Sequence, residues 1–284
     1  MTPHANTVVV TGGNAGIGKE TAIALARAGR RVIITSRDPG RGATALDEIR
    51  TRSASDRAEV MALDLADLAS VRHFAESVLA ATDRIDVLVN NAGLMLADRR
   101  VTSDGFEETF GVNHLGHFLL TNLLLDRLRA NPEGARVVIV ASSGHRCARH
   151  IRFDDLQFER RYRGFTAYCH SKLANVLFTR ELARRLADTQ VTANSLHPGY
   201  VKSRFGRDGD TGGAFALGNR IASLVAISPE DGARTSVFLA ASPEVAGVSG
   251  LYYSKARPVR PSRAGRDDAA ATRLWTASEQ LVGL

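Results

Sequence analysis

The sequence predicts an α/β fold, a central parallel sheet flanked by helices on both faces. Three observations predict it. Apolar runs of strand length alternate along the chain with amphipathic stretches of helix length. The strand runs are apolar at nearly every position, as strands covered on both faces must be. Small, often glycine-bearing clusters follow these strands at their carboxyl ends, where open α/β sheets bind ligands.

Val8, Val9 and Val10 form the first β-branched run, and a glycine-rich turn leads into a helix over 17–28 with Ile23, Leu25 and Ala26 on its apolar side. Val32, Ile33 and Ile34 make the second strand, followed by a helix over about 40–52. The third strand spans 60–63 and the third helix 67–81, with Val71, Phe74, Val78 and Leu79 at helical spacing. Val87, Leu88 and Val89 make the fourth strand, and a long helix with Phe118, Leu119, Leu123, Leu124 and Leu128 follows. A strand over 137–141, a helix over 166–187 and a strand over 191–196 come next. A helix over 233–239, a short strand over 251–253 and a terminal helix over 269–281 complete the pattern. Right-handed crossovers between such units give a doubly wound, Rossmann-type sheet. No repeat or domain boundary interrupts 1–284, which reads as one domain. Segments 144–164 and 200–228 leave from the carboxyl edge of the sheet and are natural walls of a substrate pocket. The glycine-rich 200–228, with its apolar stretch 221–227, reads as a lid, and 255–284 as a C-terminal tail.

A composition of 44% hydrophobic and 24% charged residues is that of a globular chain able to bury a large core. The two cysteines, Cys147 and Cys169, are too few for a disulfide framework, so a reducing, cytoplasmic setting is expected. Residues 1–6 lack the charged start and apolar core of a secretory signal, and no window is apolar enough for a membrane helix. A protein that behaves as soluble without detergent is the expectation. The net charge of +7 comes mainly from scattered arginines, without a helix-turn-helix, zinc-finger or aromatic RNA-binding pattern. A solvated basic surface is favoured over nucleic-acid binding. His114, His117, His145, His170 and His197 lack zinc-ligand spacing, and no metal is expected.

The turn after the first strand reads Thr11-Gly12-Gly13-Asn14-Ala15-Gly16-Ile17-Gly18. Glycines let backbone approach a diphosphate, and the helix start stabilises its charge. Between a strand and an apolar helix this becomes a dinucleotide-binding hypothesis. At the end of the second strand Ser36 stands where an acid would hold the ribose hydroxyls of NAD, and Arg37 follows. Arginine can hold the 2′-phosphate of NADP, so NADP(H) is favoured over NAD(H). Asp38 leaves two alternatives open, an ion pair with Arg37 or a bond to ribose. Tyr168 and Lys172 lie four apart and share a helix face. A neighbouring cation favours a phenolate and brings a phenol toward a useful range for proton transfer. Cys169, beside them, is tempting as a reactive thiol, but a small semi-buried side chain is the favoured reading. Asn90-Asn91-Ala92-Gly93, Ser142 and Pro198-Gly199 fall at the same carboxyl edge, with Asn113 in the helix after the fourth strand.

Thr11–Gly18, Asn90–Gly93, Ser142, Tyr168–Lys172 and Pro198-Gly199 together resemble the signature set of the short-chain dehydrogenase/reductases, over about residues 7–254. Gly16-Ile-Gly-Lys-Glu-Thr21, Val112-Asn-His-Leu-Gly-His-Phe118 and Ala167-Tyr-Cys-His-Ser-Lys-Leu-Ala-Asn175 are similar to the retinol dehydrogenase branch, which also holds the WW-domain-containing oxidoreductase and, more remotely, the protochlorophyllide reductases. The membrane anchor of vertebrate members and a WW domain are not seen in the sequence, so a retinoid substrate does not follow. The resemblance implies carbonyl/alcohol chemistry on a small-molecule substrate. Tyr168 would be the general acid/base and Lys172 would lower its pKa and hold the nicotinamide ribose. Ser142, or the adjacent Ser143, would polarise the carbonyl. Asn113 would position Lys172 and a water. Gly12, Asn14, Gly16, Ile17 and Gly18 would hold the diphosphate; Asp64 and Leu65 the adenine; Asn90, Ala92 and Gly93 the adenosine-side ribose; Pro198, Gly199 and Val201 the nicotinamide. A homo-oligomer is compatible with helices over 105–130 and 166–187 that resemble pairing helices of the family. The alternative is a non-catalytic NADP-binding sensor or scaffold. Such proteins typically lose the tyrosine or the lysine, and this chain keeps both.

Overall fold

The computed structural model describes residues 6–201 and 226–284. Eight strands form one sheet: β1 (Thr7–Val10), β2 (Arg31–Ser36), β3 (Ala58–Ala62), β4 (Val87–Asn90), β5 (Ala135–Val140), β6 (Val191–His197), β7 (Tyr252–Ser254) and β8 (Arg257–Pro258). The spatial order is β3-β2-β1-β4-β5-β6-β7-β8. Every pair is parallel except β7 with β8, and the register sets Val9 beside both Ile33 and Leu88. Alternate strand residues feed two separate cores. Val9, Ile33, Leu88, Val137 and Ile139 face one, and Val8, Val10, Val32, Val89, Val138 and Val140 the other. A period of two with apolar residues on both faces is what a doubly covered sheet requires.

Helices α1 (Gly16–Arg27), α2 (Pro39–Ser53) and α7 (Pro229–Ala241) cover the second core. The first core is covered by α3 (Leu68–Ala81), α5 (Gly116–Arg129), α6 (Gly164–Arg185) and α8 (Asp268–Val282). A short α4 (Glu108–Phe110) runs through a π-helical turn, Gly111–Leu115, into α5. Trp275 on α8 packs against Phe118 and Phe178, at ring separations of 4.9 and 5.8 Å. Burying such a side chain contributes about 1.5–3 kcal/mol. The terminal helix thus occupies part of the α5/α6 face expected to pair two copies.

The structure differs from the sequence reading at several boundaries. β3 starts two residues before 60, and α6 starts at Gly164. α7 starts at Pro229, with the Ser228 hydroxyl capping Asp231 N–H, a start signal hidden inside the segment read as a lid. β8 was read as irregular tail. Its proline is tolerated because it sits on the sheet's edge. Most of the lid expected at 200–228 lies at 202–225, outside the described residues; at its two ends Val201 and Ile227 pair in parallel. No described helix is long and apolar enough to cross a membrane.

Candidate active site

β1 and β4 are neighbours at the point where strand order reverses, so their two following turns lie side by side. Thr11 Oγ1 accepts the N–H groups of Asn91 and Ala92 at 2.9 and 3.0 Å, and Asn91 Nδ2 donates to Thr11 O at 2.8 Å. A β-carbon at Gly18 would sit 2.4 Å from both Gly12 O and Asn91 Nδ2, so this packing needs glycine. Gly12 and Gly16 turn the chain with φ of +64° and +53°. Side chains cap α2, α3, α7 and α8, through Asp38, Asp67, Ser228 and Asp267. α1 has neither a side-chain cap nor an acid in its first turn. Its leading N–H groups, around Gly16, Ile17 and Gly18, are left for an anion from outside the chain, and this cradle fits a dinucleotide diphosphate. Asn14 is half-buried in the same loop. Ile17 and Val201 meet over Gly232, where a β-carbon would lie 3.2 Å from Ile17 Cγ1 and 2.7 Å from Val201 Cγ2.

Arg37 is exposed where β2 ends, and among the described residues it makes no ion pair. Asp38 is committed elsewhere, accepting Arg41 N–H at 2.7 Å as the cap of α2. Its Oδ1 is thereby engaged within the chain and not with Arg37. Asp64 accepts Ala66 N–H at 2.9 Å, and Leu65 is buried against Gly116. Asn90 is buried, donating to Thr121 Oγ1 at 2.8 Å, while its Oδ1 has no partner among the described residues.

The reactive end gathers β4, β5, the π turn and α6. Lys172 is buried and donates to Val140 O at 3.0 Å, and its Nζ stands 5.7 Å from the Tyr168 ring centre. A β-carbon at Gly93 would come within 3.3 Å of Lys172 Nζ and 3.1 Å of Asn113 Oδ1, so a side chain there would press on both groups. Asn113 accepts Leu94 N–H at 2.8 Å and donates to Leu94 O and Ser171 Oγ, both at 2.9 Å. It flanks Lys172 by fixing the surrounding backbone. Ser142 hydrogen-bonds Tyr168 and accepts Gly144 N–H at 3.0 Å. Ser143 is exposed and its N–H donates to His197, so the serine at the phenol is Ser142. Pro198 and Gly199 follow β6 half-buried, Gly199 with φ of +101°.

Burial pushes the Tyr168 phenol up to about 12, against the opposing pull of Ser142. It pushes Lys172 down to about 8. The lysine was expected to lower the phenol. In the structure burial is the largest influence on the phenol, and the desolvated amine, still mostly charged at neutral pH, does not offset it. A phenol held high is protonated at neutral pH, the form that donates to a carbonyl oxygen.

Sequence reasoning missed two histidine clamps. His145 Nε2 accepts Ser262 N–H at 3.1 Å, so Nδ1 carries the proton and donates to Ser142 O at 2.6 Å. His117 Nδ1 donates to Asn113 O at 3.2 Å, which leaves Nε2 to accept the Thr11 hydroxyl at 2.8 Å. No sequence pattern announces these bonds, because most of their partners are backbone groups. Among the described residues no three His, Cys, Asp or Glu side chains converge as metal ligands would.

A family model for short chain dehydrogenases matches residues 6–212. With the glycine cradle and the Ser142–Tyr168–Lys172 cluster on one sheet edge, this places the chain in the short-chain dehydrogenase family of oxidoreductases. It is 46% identical to retinol dehydrogenase 13 from Homo sapiens, over 98% of this chain and 85% of that protein. A crystal structure of an uncharacterised protein from Mycobacterium paratuberculosis superposes with a TM-score of 0.79 at 38% identity, covering 98% of this chain and 93% of that one. A structure described as an NAD(P)-dependent gluconate 5-dehydrogenase from Beutenbergia cavernae, with NADP bound at low occupancy, matches at TM-score 0.70 and 30% identity over 89% of this chain and 96% of that one.

Proposed function

We propose that the protein is an NADP(H)-dependent oxidoreductase that interconverts a carbonyl and an alcohol, with Tyr168 as general acid/base. The observation that carries this reading is the meeting of Ser142, Tyr168 and Lys172 beside Gly93, on the same sheet edge as the uncapped start of α1. Arg37, with no acid paired to it among the described residues, supports a 2′-phosphate. The NADP held by the Beutenbergia structure is consistent with that choice.

Gly12, Asn14, Gly16, Ile17 and Gly18 would hold the diphosphate, Asp64 and Leu65 the adenine, and Asn90, Ala92 and Gly93 the adjoining ribose. Pro198, Gly199 and Val201 would line the nicotinamide, which when bound supplies or takes up the hydride. The Ser142 hydroxyl donates to the substrate oxygen and the Tyr168 proton moves onto it as negative charge develops there. Lys172, when charged, favours the phenolate left behind and holds the nearby ribose. Asn113 keeps the Gly93–Leu94 backbone and Ser171 in place on either side of the lysine.

A panel of aldehydes, ketones and alcohols with NADPH and NADP⁺ tests this, run on the wild type and on Tyr168→Phe. Turnover of a panel member is expected, with a loss in the variant of about 10²–10⁴-fold in kcat. NADPH binding should stay near normal, because the loss falls on the transition state. Wild-type turnover by Tyr168→Phe would remove the central assignment.

A further inference from the structure

Cys147 and Cys169 are both free, Cys147 exposed and Cys169 buried. They lie 22 positions apart in sequence, but the fold packs the turn that ends in Cys147 against the helix that carries Cys169, and Cys147 adds to the upward push on the Cys169 thiol. Cys147 closes the 3₁₀ turn Ser143–Cys147 that follows Ser142. In a 3₁₀ helix residues three apart eclipse, so Cys147 lies on the same face as Gly144. A β-carbon on Gly144 would stand 3.5 Å from Cys169 Sγ, and 3.4 Å from both Ser142 Oγ and Tyr168 Cε1. One face of this turn therefore looks onto the thiol, the phenol and the serine hydroxyl at once.

We propose that Cys147 and Cys169 are an oxidisable thiol pair, a modification site at which a low-molecular-weight disulfide bridges the turn after Ser142 to the helix that carries Tyr168. The asymmetry of exposure sets the order of events. The Cys147 thiolate attacks one sulfur of the reagent, releasing one reagent thiol and leaving a mixed disulfide. Cys169 attacks Cys147 Sγ as its proton passes to the departing reagent thiolate, which leaves as the second reagent thiol. Two protein thiols are oxidised and one disulfide is reduced to two thiols. Buried Cys169 is shielded from bulky reagents and reacts through its neighbour.

The bridge brings two non-bonded sulfurs to about 2.0 Å. That draws the turn toward α6 and shifts Ser142 against Tyr168. Misplacing reacting groups by about 1 Å costs on the order of 10²-fold. The oxidised protein is therefore a less active form, a consequence that rests on the oxidoreductase reading.

The experiment treats the full chain with oxidised glutathione and maps unreduced peptides by mass. The expected product joins the Cys147 and Cys169 peptides with loss of two hydrogens, and turnover falls about tenfold to 10²-fold. Dithiothreitol should restore turnover. Cys147→Ser should keep the basal rate and lose the sensitivity. Cys169→Ala, whose folding is checked by circular dichroism, should stop at the glutathione adduct. A wild type that stops at that adduct overturns the pairing. A bridge that leaves turnover unchanged overturns the control of the site. The peptide arm needs no substrate, so failure of the oxidoreductase reading shows separately, as absent turnover in the reduced protein.

Discussion

Two neutral histidines hold the candidate site, His117 on the cofactor-facing side and His145 on the reactive side, and they are anchored in different places. His117 ties the turn after β1 to the π turn, through Thr11 and Asn113, both wholly buried. His145 ties Ser142 to Ser262, in a tail whose neighbours Arg257, Arg260 and Arg263 are exposed. Each ring uses both nitrogens, so protonation or removal leaves a partner unmatched, at about 1–3 kcal/mol for each buried group. The first clamp is part of the core, and its loss falls mainly on folding. The second joins the site to the surface, and its loss falls mainly on the placement of Ser142.

Acid is the strongest way to stress the core side of that contrast. Burial depresses His117 and His170 to about 3 and His114 to about 4. The unfolded chain takes up these protons near the ordinary histidine value of about 6.5, and the folded chain does not. Between those limits the unfolded state binds more protons, so stability is full above about pH 6.5 and falls as pH drops toward the folded values. Each histidine contributes a slope of about 1.4 kcal/mol per pH unit, so three together give about 4 kcal/mol per unit below pH 6. The urea midpoint should be flat from pH 8 to 7 and fall steeply from 6 to 5. A midpoint unchanged at pH 5 would show that these rings are not held neutral by the fold.

The reactive side breaks differently. His145→Ala should lower kcat about tenfold to 10²-fold while NADPH affinity stays near wild type, because a displaced Ser142 weakens the transition state alone. His145→Asn, whose amide can donate to the Ser142 carbonyl, should recover part of the loss. His117→Ala should instead weaken folding and NADPH binding together. Parallel measurement of kcat, NADPH affinity and the urea midpoint separates the two patterns. If both variants lose stability and cofactor alike, the contrast between the clamps is wrong.

Most of the sheet was readable from the sequence because β1, β2, β4 and β5 are rich in Val and Ile and end in turn residues. The candidate site was readable because its side-chain types fall at strand ends, and the fold brings Ser142, Tyr168, Lys172 and Gly93 together. What escaped depends on backbone atoms or distant pairing. Ser262 N–H reaches His145 across 117 residues, and the π turn at Asn113 has no propensity signature. β8 is two residues long and carries proline, so no periodicity could reveal it. The cap role of Asp38 was present in Asp38-Pro39, a start signal for α2, yet the neighbouring Arg37 made an ion pair look equally good.

Arg37 offers the smallest and most selective effect, at the edge where neither histidine reaches. It is exposed, and Asp38 beside it is turned into the cap of α2 by the Arg41 N–H. Ser36 spends its hydroxyl on Asp38 O at 2.7 Å, so its hydroxyl proton is engaged within the chain at the end of β2. A guanidinium on a phosphate makes a charge-assisted contact, and losing it should weaken NADPH about tenfold or more. NADH lacks the phosphate and should change little. No basic residue stands at Ala15, just before Gly16, to add to Arg37, so a modest preference is expected. Arg37→Lys should keep part of the preference as a point charge without the fork geometry. Titrating NADPH and NADH into wild type, Arg37→Ala and Arg37→Lys decides it. Equal weakening of both cofactors in Arg37→Ala would mean that the side chain supports the β2 turn, and that the 2′-phosphate is read elsewhere.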